Sequence, residues 1–246
     1  MNDIEYFMNY VRRDGPETAP ICFLTIEDGG ELWKRDKGEI KTYSELVEFY
    51  KNKEEEIWER KIGQNEELGQ PGIWISKIMA TLIDGSLKKW ADYRGNRIYL
   101  ENECNIKFYP IGRQTQNTWD NKIENGLGLK HWEYMELCNS LRPASISKHP
   151  KMKKAFTGEN FHIILGAKNE WVSFLKKFVY GESIRVVPFE HRDLKSTQFE
   201  KYYINGKLEF CYAKMFGRGI TNVAIEDFFC KVRKELDGNV KRKLQW

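Results

Sequence analysis

Ile21-Cys22-Phe23-Leu24-Thr25-Ile26-Glu27-Asp28-Gly29-Gly30 is the stretch on which the reading of this chain turns. Its first six residues run without the polar alternation of a half-solvated strand, which predicts a strand buried on both faces. Two carboxylates and paired glycines close the run. Asp-Gly-Gly is ordinary turn chemistry, but here it puts charge at the end of a buried strand. The carboxyl edge of an open α/β sheet is where such folds bind ligands. Glu27 and Asp28 are therefore the first candidates for a catalytic group.

The same pattern recurs outward from this strand. Phe161-His162-Ile163-Ile164-Leu165-Gly166 is a second buried run and feeds through Ala167-Lys168 into a helix over 169–179. Further strands are expected over 105–109 and 183–188, with a short candidate fifth over 208–213. Between them lie helical patterns over 2–13, 73–82, 131–141 (stopped before Pro143) and 223–236. Thr42 with Glu45 three residues on has the form of a capping box and opens a charged helix to about residue 60. Apolar strands followed by helices predict a single α/β domain over residues 1–246. Its expected form is a three-layer α/β/α sandwich on a central, mainly parallel, four-stranded sheet. Residues 1–19 carry the N-terminal helix and 237–246 a basic C-terminal tail.

Length and composition agree with one globular domain. The chain has 246 residues, 41% hydrophobic and 31% charged, enough to bury a large core. No apolar stretch approaches the length of a membrane span, and Met1-Asn2-Asp3-Ile4-Glu5 lacks the form of a signal peptide. Five scattered cysteines with no Cys-x-x-Cys spacing point to reduced thiols in a cytoplasmic protein and away from a metal site. Phosphate-loop, dinucleotide, Gly-x-Ser-x-Gly and His-Glu-x-x-His patterns are absent from the sequence, so no cofactor and no metal are expected.

Charge is unevenly spread. The net charge is +4, with −6 on residues 1–60 and +10 on the rest. Lys148-His149-Pro150-Lys151-Met152-Lys153-Lys154 is the densest basic run, and Lys241-Arg242-Lys243 adds another. Such a distribution suits a polyanion, nucleic acid foremost, although a charge run alone is also an ordinary solvated face.

The strand ends supply the remaining candidates. The strand over 105–109 closes in Phe108-Tyr109-Pro110-Ile111-Gly112-Arg113, and that over 183–188 in Phe189-Glu190-His191-Arg192-Asp193. In a parallel sheet these ends share an edge with Glu27 and Asp28. A carboxylate, an aromatic with an arginine, and a histidine are thus expected to converge on one crevice.

The order and character of these motifs resemble the uracil-DNA glycosylase superfamily. Residues 21–30 are similar to its water-activating loop, 108–113 to its base-binding strand end, and 187–191 to the approach to its histidine loop. The segment 210–222, with Lys214 and Arg218, is similar to the basic stretch that contacts DNA. The resemblance implies a monofunctional, monomeric DNA glycosylase, needing no cofactor, that flips a deaminated or modified pyrimidine out of DNA. Its biological setting would be base-excision repair, or defence against phage with modified cytosines. Asp28 or Glu27 would then activate water, and His191 would stabilise the departing base. Phe108, Tyr109 and Arg113 would hold the base, while Arg192, Lys214 and Arg218 would hold the DNA. The chain departs from the family in three places: no proline follows Glu27 before Trp33, Arg192-Asp193 follows His191, and no asparagine matches the uracil reader. These departures leave room in the pocket for a larger or modified pyrimidine. The alternative is a non-catalytic nucleic-acid-binding protein on the same fold.

Overall fold

The computed structural model describes residues 2–11, 13–26, 42–56, 70–95, 99–111, 119–157, 159–181, 183–191, 198–214, 220–244 and 246. Its strands are β1 (Arg13–Asp14), β2 (Ile21–Thr25), β3 (Glu103–Lys107), β4 (Phe161–Ile164), β5 (Arg185–Pro188), β6 (Phe199–Ile204) and β7 (Lys207–Ala213). The helices are α1 (Asp3–Asn9), α2 (Tyr43–Glu56), α3 (Gln70–Asp84), α4 (Trp90–Gly95), α5 (Tyr99–Asn102), α6 (Asn121–Leu127), α7 (His131–Lys148), α8 (Lys168–Leu175), α9 (Asn222–Glu235) and α10 (Gly238–Lys243).

The expected α/β class holds, but the sheet is larger and more mixed than the four strands read from the sequence. Among the described residues, seven strands lie in the order β1-β3-β2-β4-β7-β6-β5. Three ladders are parallel, joining β2 to β3, β2 to β4 and β4 to β7. Three are antiparallel, joining β1 to β3, β6 to β7 and β5 to β6. The difference lies mostly in a hairpin. Asn205 and Gly206 both have positive φ, 50° and 80°, the backbone of a tight primed turn, and they fold β6 back on β7. That turn makes 199–213 two strands and pushes β5 out to the sheet edge.

Alternation along β2 and β4 feeds two cores, one on each face. Cys22, Leu24 and Ile164 face Leu46, Tyr134, Cys138, Trp171 and Phe174 of α2, α7 and α8. Ile21, Phe23 and Ile163 face Ile78, Met79, Leu82, Phe228 and Phe229 of α3 and α9. On the α3/α9 face, buried Ser76 and Thr81 bond back to carbonyls of their own helix. On the α7/α8 face, Arg142 and His162 are fully buried.

Several elements follow directly from local chemistry. The Thr42/Glu45 capping box is formed in both directions, at 3.1 and 3.2 Å. Asn2 caps α1 through the Glu5 amide at 2.7 Å, and Thr221 caps α9. Other boundaries differ. α3 starts at Gln70, with Pro71 in the first turn where its missing N–H has no partner to lose. α7 does not stop at Pro143 but runs on to Lys148. Tyr134, Cys138, Arg142 and Ile146 are buried on both sides of the proline, and that packing outweighs a helix-interior penalty of about 3 kcal/mol. The expected C-terminal tail is largely α10, capped by Asp237 and anchored by buried Val240. No helix among the described residues is long and apolar enough to cross a membrane.

Candidate functional site

The parallel strands reverse direction of growth at β2: the chain goes from β2 outward to β3, then returns to lay β4 on the other side. Such a switch point opens a crevice at the carboxyl ends of the strands. Here it is framed by Thr25–Ile26, Phe108–Tyr109 and Gly166–Lys168. Backbone bonds tie these ends together: Phe108 N to Thr25 O at 3.1 Å, Tyr109 N to Ile26 O at 2.8 Å, and Leu165 N to Leu24 O at 2.8 Å. The Trp171 indole N–H from α8 also reaches Thr25 O at 2.8 Å. Gly166 allows the close approach, since a Cβ there would lie 3.3 Å from Cβ of Ile26.

Glu27 and Asp28 follow Ile26 directly in the chain but lie outside the described residues, as do Arg113, Arg192 and Arg218. Phe108 and Tyr109 are at the switch point, yet their roles differ from the expected stacking platform. Phe108 is 0% exposed, edge-on to Trp171 and Tyr109 at 5.2 and 5.1 Å. It is a core side chain, and its carbonyl accepts from Arg142 Nε at 2.7 Å. Tyr109 buries its ring but carries its hydroxyl to Glu170 Oε1 at 3.1 Å and Asn139 Oδ1 at 3.2 Å.

His191 does not join them. It follows β5, five strands from β3, which at the usual interstrand spacing is about 24 Å. There its Nε2 meets Asp227 Oδ2 on α9 at 3.1 Å, and its ring lies against Phe189. The expected convergence of His191 with Phe108 and Tyr109 is therefore corrected: the hairpin inserts β6 and β7 between them. Lys214 is at the carboxyl edge, exposed at the end of β7, with its amide on Gln198 O at 2.8 Å.

The same edge carries a polar ledge that the sequence reading missed. Lys168, first residue of α8, places Nζ 2.6 Å from Oε1 of Glu200 on β6 and 5.1 Å from the ring centre of Tyr212 on β7. The Tyr202 hydroxyl donates to the other oxygen of Glu200. Glu200 is 8% exposed and Gln198, one pleat along, is 4% exposed. Among the described residues, Oε1 of Gln198 is buried without a hydrogen-bond partner. Burial and the Glu200 carboxylate hold the phenols of Tyr202 and Tyr212 above their ordinary pKa. The signal that could have found the β6–β7 hairpin that carries this ledge was Asn205-Gly206 between two alternating runs, the strongest short-range mark of a hairpin.

A cleft of about 410 Å³ lies at the opposite, amino edge, lined by Glu159, Asn160, Lys207, Asp237, Arg242 and Lys243 among others. Its charges largely satisfy each other, Lys207 with Asp237 at 3.4 Å and Lys243 with Glu159 at 3.6 Å. Lys241-Arg242-Lys243 thus sit at the amino edge, whereas Lys168 and Lys214 stand on the carboxyl edge, after β4 and β7. Among the described residues, no group of three or more His, Cys, Asp or Glu side chains is arranged to hold a metal ion. Compared with protein-family models, curated proteins and solved structures, this chain matches nothing.

Proposed function

We propose that this chain is a DNA glycosylase that hydrolyses the N-glycosidic bond of a deaminated or modified pyrimidine, working as a monomer at the carboxyl edge of β2, β3 and β4. The observation that carries this reading is the reversal of strand order at β2, because the strand that precedes Glu27-Asp28 in the sequence ends where α/β folds do chemistry. The resemblance in motif order supplies the reaction class.

In this reading a flipped nucleotide enters the crevice at a cost of about a few kcal/mol. The bond from C1′ to the base nitrogen breaks with its electron pair leaving on the base, through an oxocarbenium-like sugar. Asp28 or Glu27 stabilises the cation and takes a proton from the water that adds to C1′. Negative charge on the base is met by Lys168 rather than by His191, since Lys168 follows β4 in the chain whereas His191 follows β5, three strands further out. Lys214 holds a phosphate, which makes binding salt-dependent.

The test is incubation with duplexes carrying uracil, a thymine mismatch or a modified cytosine, followed by alkaline cleavage at abasic sites. Strand breaks on at least one substrate are expected. Asp28→Asn or Glu27→Gln should lower the rate, the larger loss marking the working carboxylate. Lys168→Gln should cost about 100- to 1,000-fold if the ammonium meets the developing charge. The distance of His191 from the crevice favours a second reading, a nucleic-acid-binding domain without chemistry. Retained DNA binding with no strand breaks on any substrate would select it, and the absence of both would sink both readings.

A further inference from the structure

We infer that the polar ledge formed by Lys168, Gln198, Glu200 and Tyr212 reads the target base, and that it selects a cytosine-type base bearing an exocyclic amino group over uracil. This inference rests on the glycosylase reading for its substrate class, but the recognition it describes does not require bond cleavage.

The argument is one of donors and acceptors. Glu200 holds a carboxylate at 8% exposure, each oxygen engaged once, by Lys168 and by Tyr202. An ionised carboxylate has about four lone-pair sites, so two remain for a ligand. Gln198 stands on the same face, because strand alternation places 198, 200 and 202 together, and its Oε1 has no partner among the described residues. An unmet buried acceptor costs about 1–3 kcal/mol, which a ligand's N–H would relieve. The two side chains present acceptors to the ligand, and an exocyclic amino group brings two N–H donors. Cytosine N4 meeting a carboxylate is an established pairing in base recognition.

Uracil presents a carbonyl oxygen at the corresponding position. Opposed to Glu200 and to the Gln198 oxygen, that carbonyl would be repelled, and the Gln198 oxygen would stay unpaired. Lys168 uses one of its three protons on Glu200 and keeps two for a ring nitrogen or carbonyl on the same base edge. Tyr212, half-buried beside the ammonium, offers an aromatic surface, the role Phe108 is too deeply buried to fill. Lys214 is registered opposite Gln198 through its backbone and brings the sugar–phosphate side of the nucleotide to this ledge.

The test is a titration of the full chain with deoxycytidine and with deoxyuridine, followed by NMR chemical-shift changes. Deoxycytidine should bind about tenfold more tightly, and Gln198→Leu should bring the two nucleosides to within about twofold. Equal affinities, a preference for deoxyuridine, or no binding of either would overturn the inference on the wild-type protein alone. An unchanged preference in folded Gln198→Leu, checked by thermal melting, would overturn it as well. The outcome is separable from the catalytic reading. A deoxycytidine preference without strand breaks would leave this inference standing and remove the glycosylase. Efficient excision with uracil as the preferred base would do the reverse.

Discussion

The two faces of the sheet are built on different principles. Under α3 and α9 the sheet packs Ile78, Met79, Leu82, Phe228 and Phe229 against Phe23 and Ile163, a core held by area removed from water and by ring contacts such as Phe199 on Phe228 at 4.8 Å. Under α7 and α8 the sheet also buries a guanidinium, an imidazole and several phenols. An apolar core tolerates swaps that conserve volume, whereas a polar one depends on which atom meets which. Tyr109 at the switch point, and the Lys168–Glu200 pair further along the same edge, belong to the polar face. The more exacting face is therefore the one that positions the candidate site.

Arg142 gives the largest expected contrast. Fully buried, it donates to five carbonyls, those of Phe7, Met8, Tyr10, Lys107 and Phe108. Three of these lie at the carboxyl end of α1, where a cation is favoured by the helix dipole, and two lie where β3 enters the switch point. Burial lowers the Arg142 pKa from its ordinary value. Arg142→Met keeps much of the volume but strands those carbonyls, and about 3–5 kcal/mol should be lost in urea unfolding. Arg142→Lys should recover only part, for lack of the planar fork. Met79→Leu, equally buried on the other face, should cost under about 1.5 kcal/mol. Similar losses for the two volume-matched changes would break the comparison.

The next contrast is in pH dependence. His162 on the polar face is fully buried, and burial lowers its pKa to about 4. Its Nε2–H donates to the Ala155 carbonyl, so the bare Nδ1 accepts from the Tyr180 hydroxyl. The unfolded chain takes up this proton below about 6.5 and the folded one does not. Stability from this group is therefore lost as pH falls from about 6.5 to about 4, by about 3 kcal/mol in full. Glu103 lies on the other face with Tyr93, at 2.7 Å, and burial raises its pKa to about 7. Its carboxyl stays protonated in the fold while the unfolded chain ionises above about 4.5, so its contribution is lost as pH rises from about 4.5 to about 7. The two windows overlap with opposite signs. Denaturant midpoints of the wild type should be nearly flat between pH 4.5 and 6.5. His162→Gln should make stability fall with rising pH, and Glu103→Gln should make it rise.

How much of this was legible in the sequence follows from the range of the interactions. β2 and β4 were readable because a strand buried on both faces needs a continuous apolar run, and the Thr42–Glu45 cap because its partners are three residues apart. β1 has two residues, too few to carry a pattern, and forms by pairing with β3 ninety residues on. β5 was readable as a strand, but its place was not: the apolar content of 183–188 fits a central strand, whereas Val186 is 44% exposed on an edge. His191 was misplaced for that reason. The ledge needed α8 and β6 to meet across 32 residues, and no local rule reports such a contact. Phe108 and Tyr109 were correctly found at a strand end, but a lone sequence cannot say which of two adjacent aromatics is sealed in the core.

The smallest expected effect tests the turn that created this difference. Asn205 and Gly206 have positive φ, and an L side chain other than Asn or Asp pays about 1–2 kcal/mol there. Gly206→Ala meets nothing in space around its Cβ, so its cost is purely conformational and should be about 1 kcal/mol by urea unfolding. Asn205→Gly should be nearly neutral. Neither change touches the ledge, which lies at the far end of the hairpin, with Glu200 registered to Tyr212 and Tyr202 to Phe210. Nucleoside preference should survive both. If Gly206→Ala instead abolished it at a stability loss of only about 1 kcal/mol, the register of β6 would depend on the turn itself. The pairing of its polar face with β7 and α8 would then not be what fixes Glu200 and Gln198 in place.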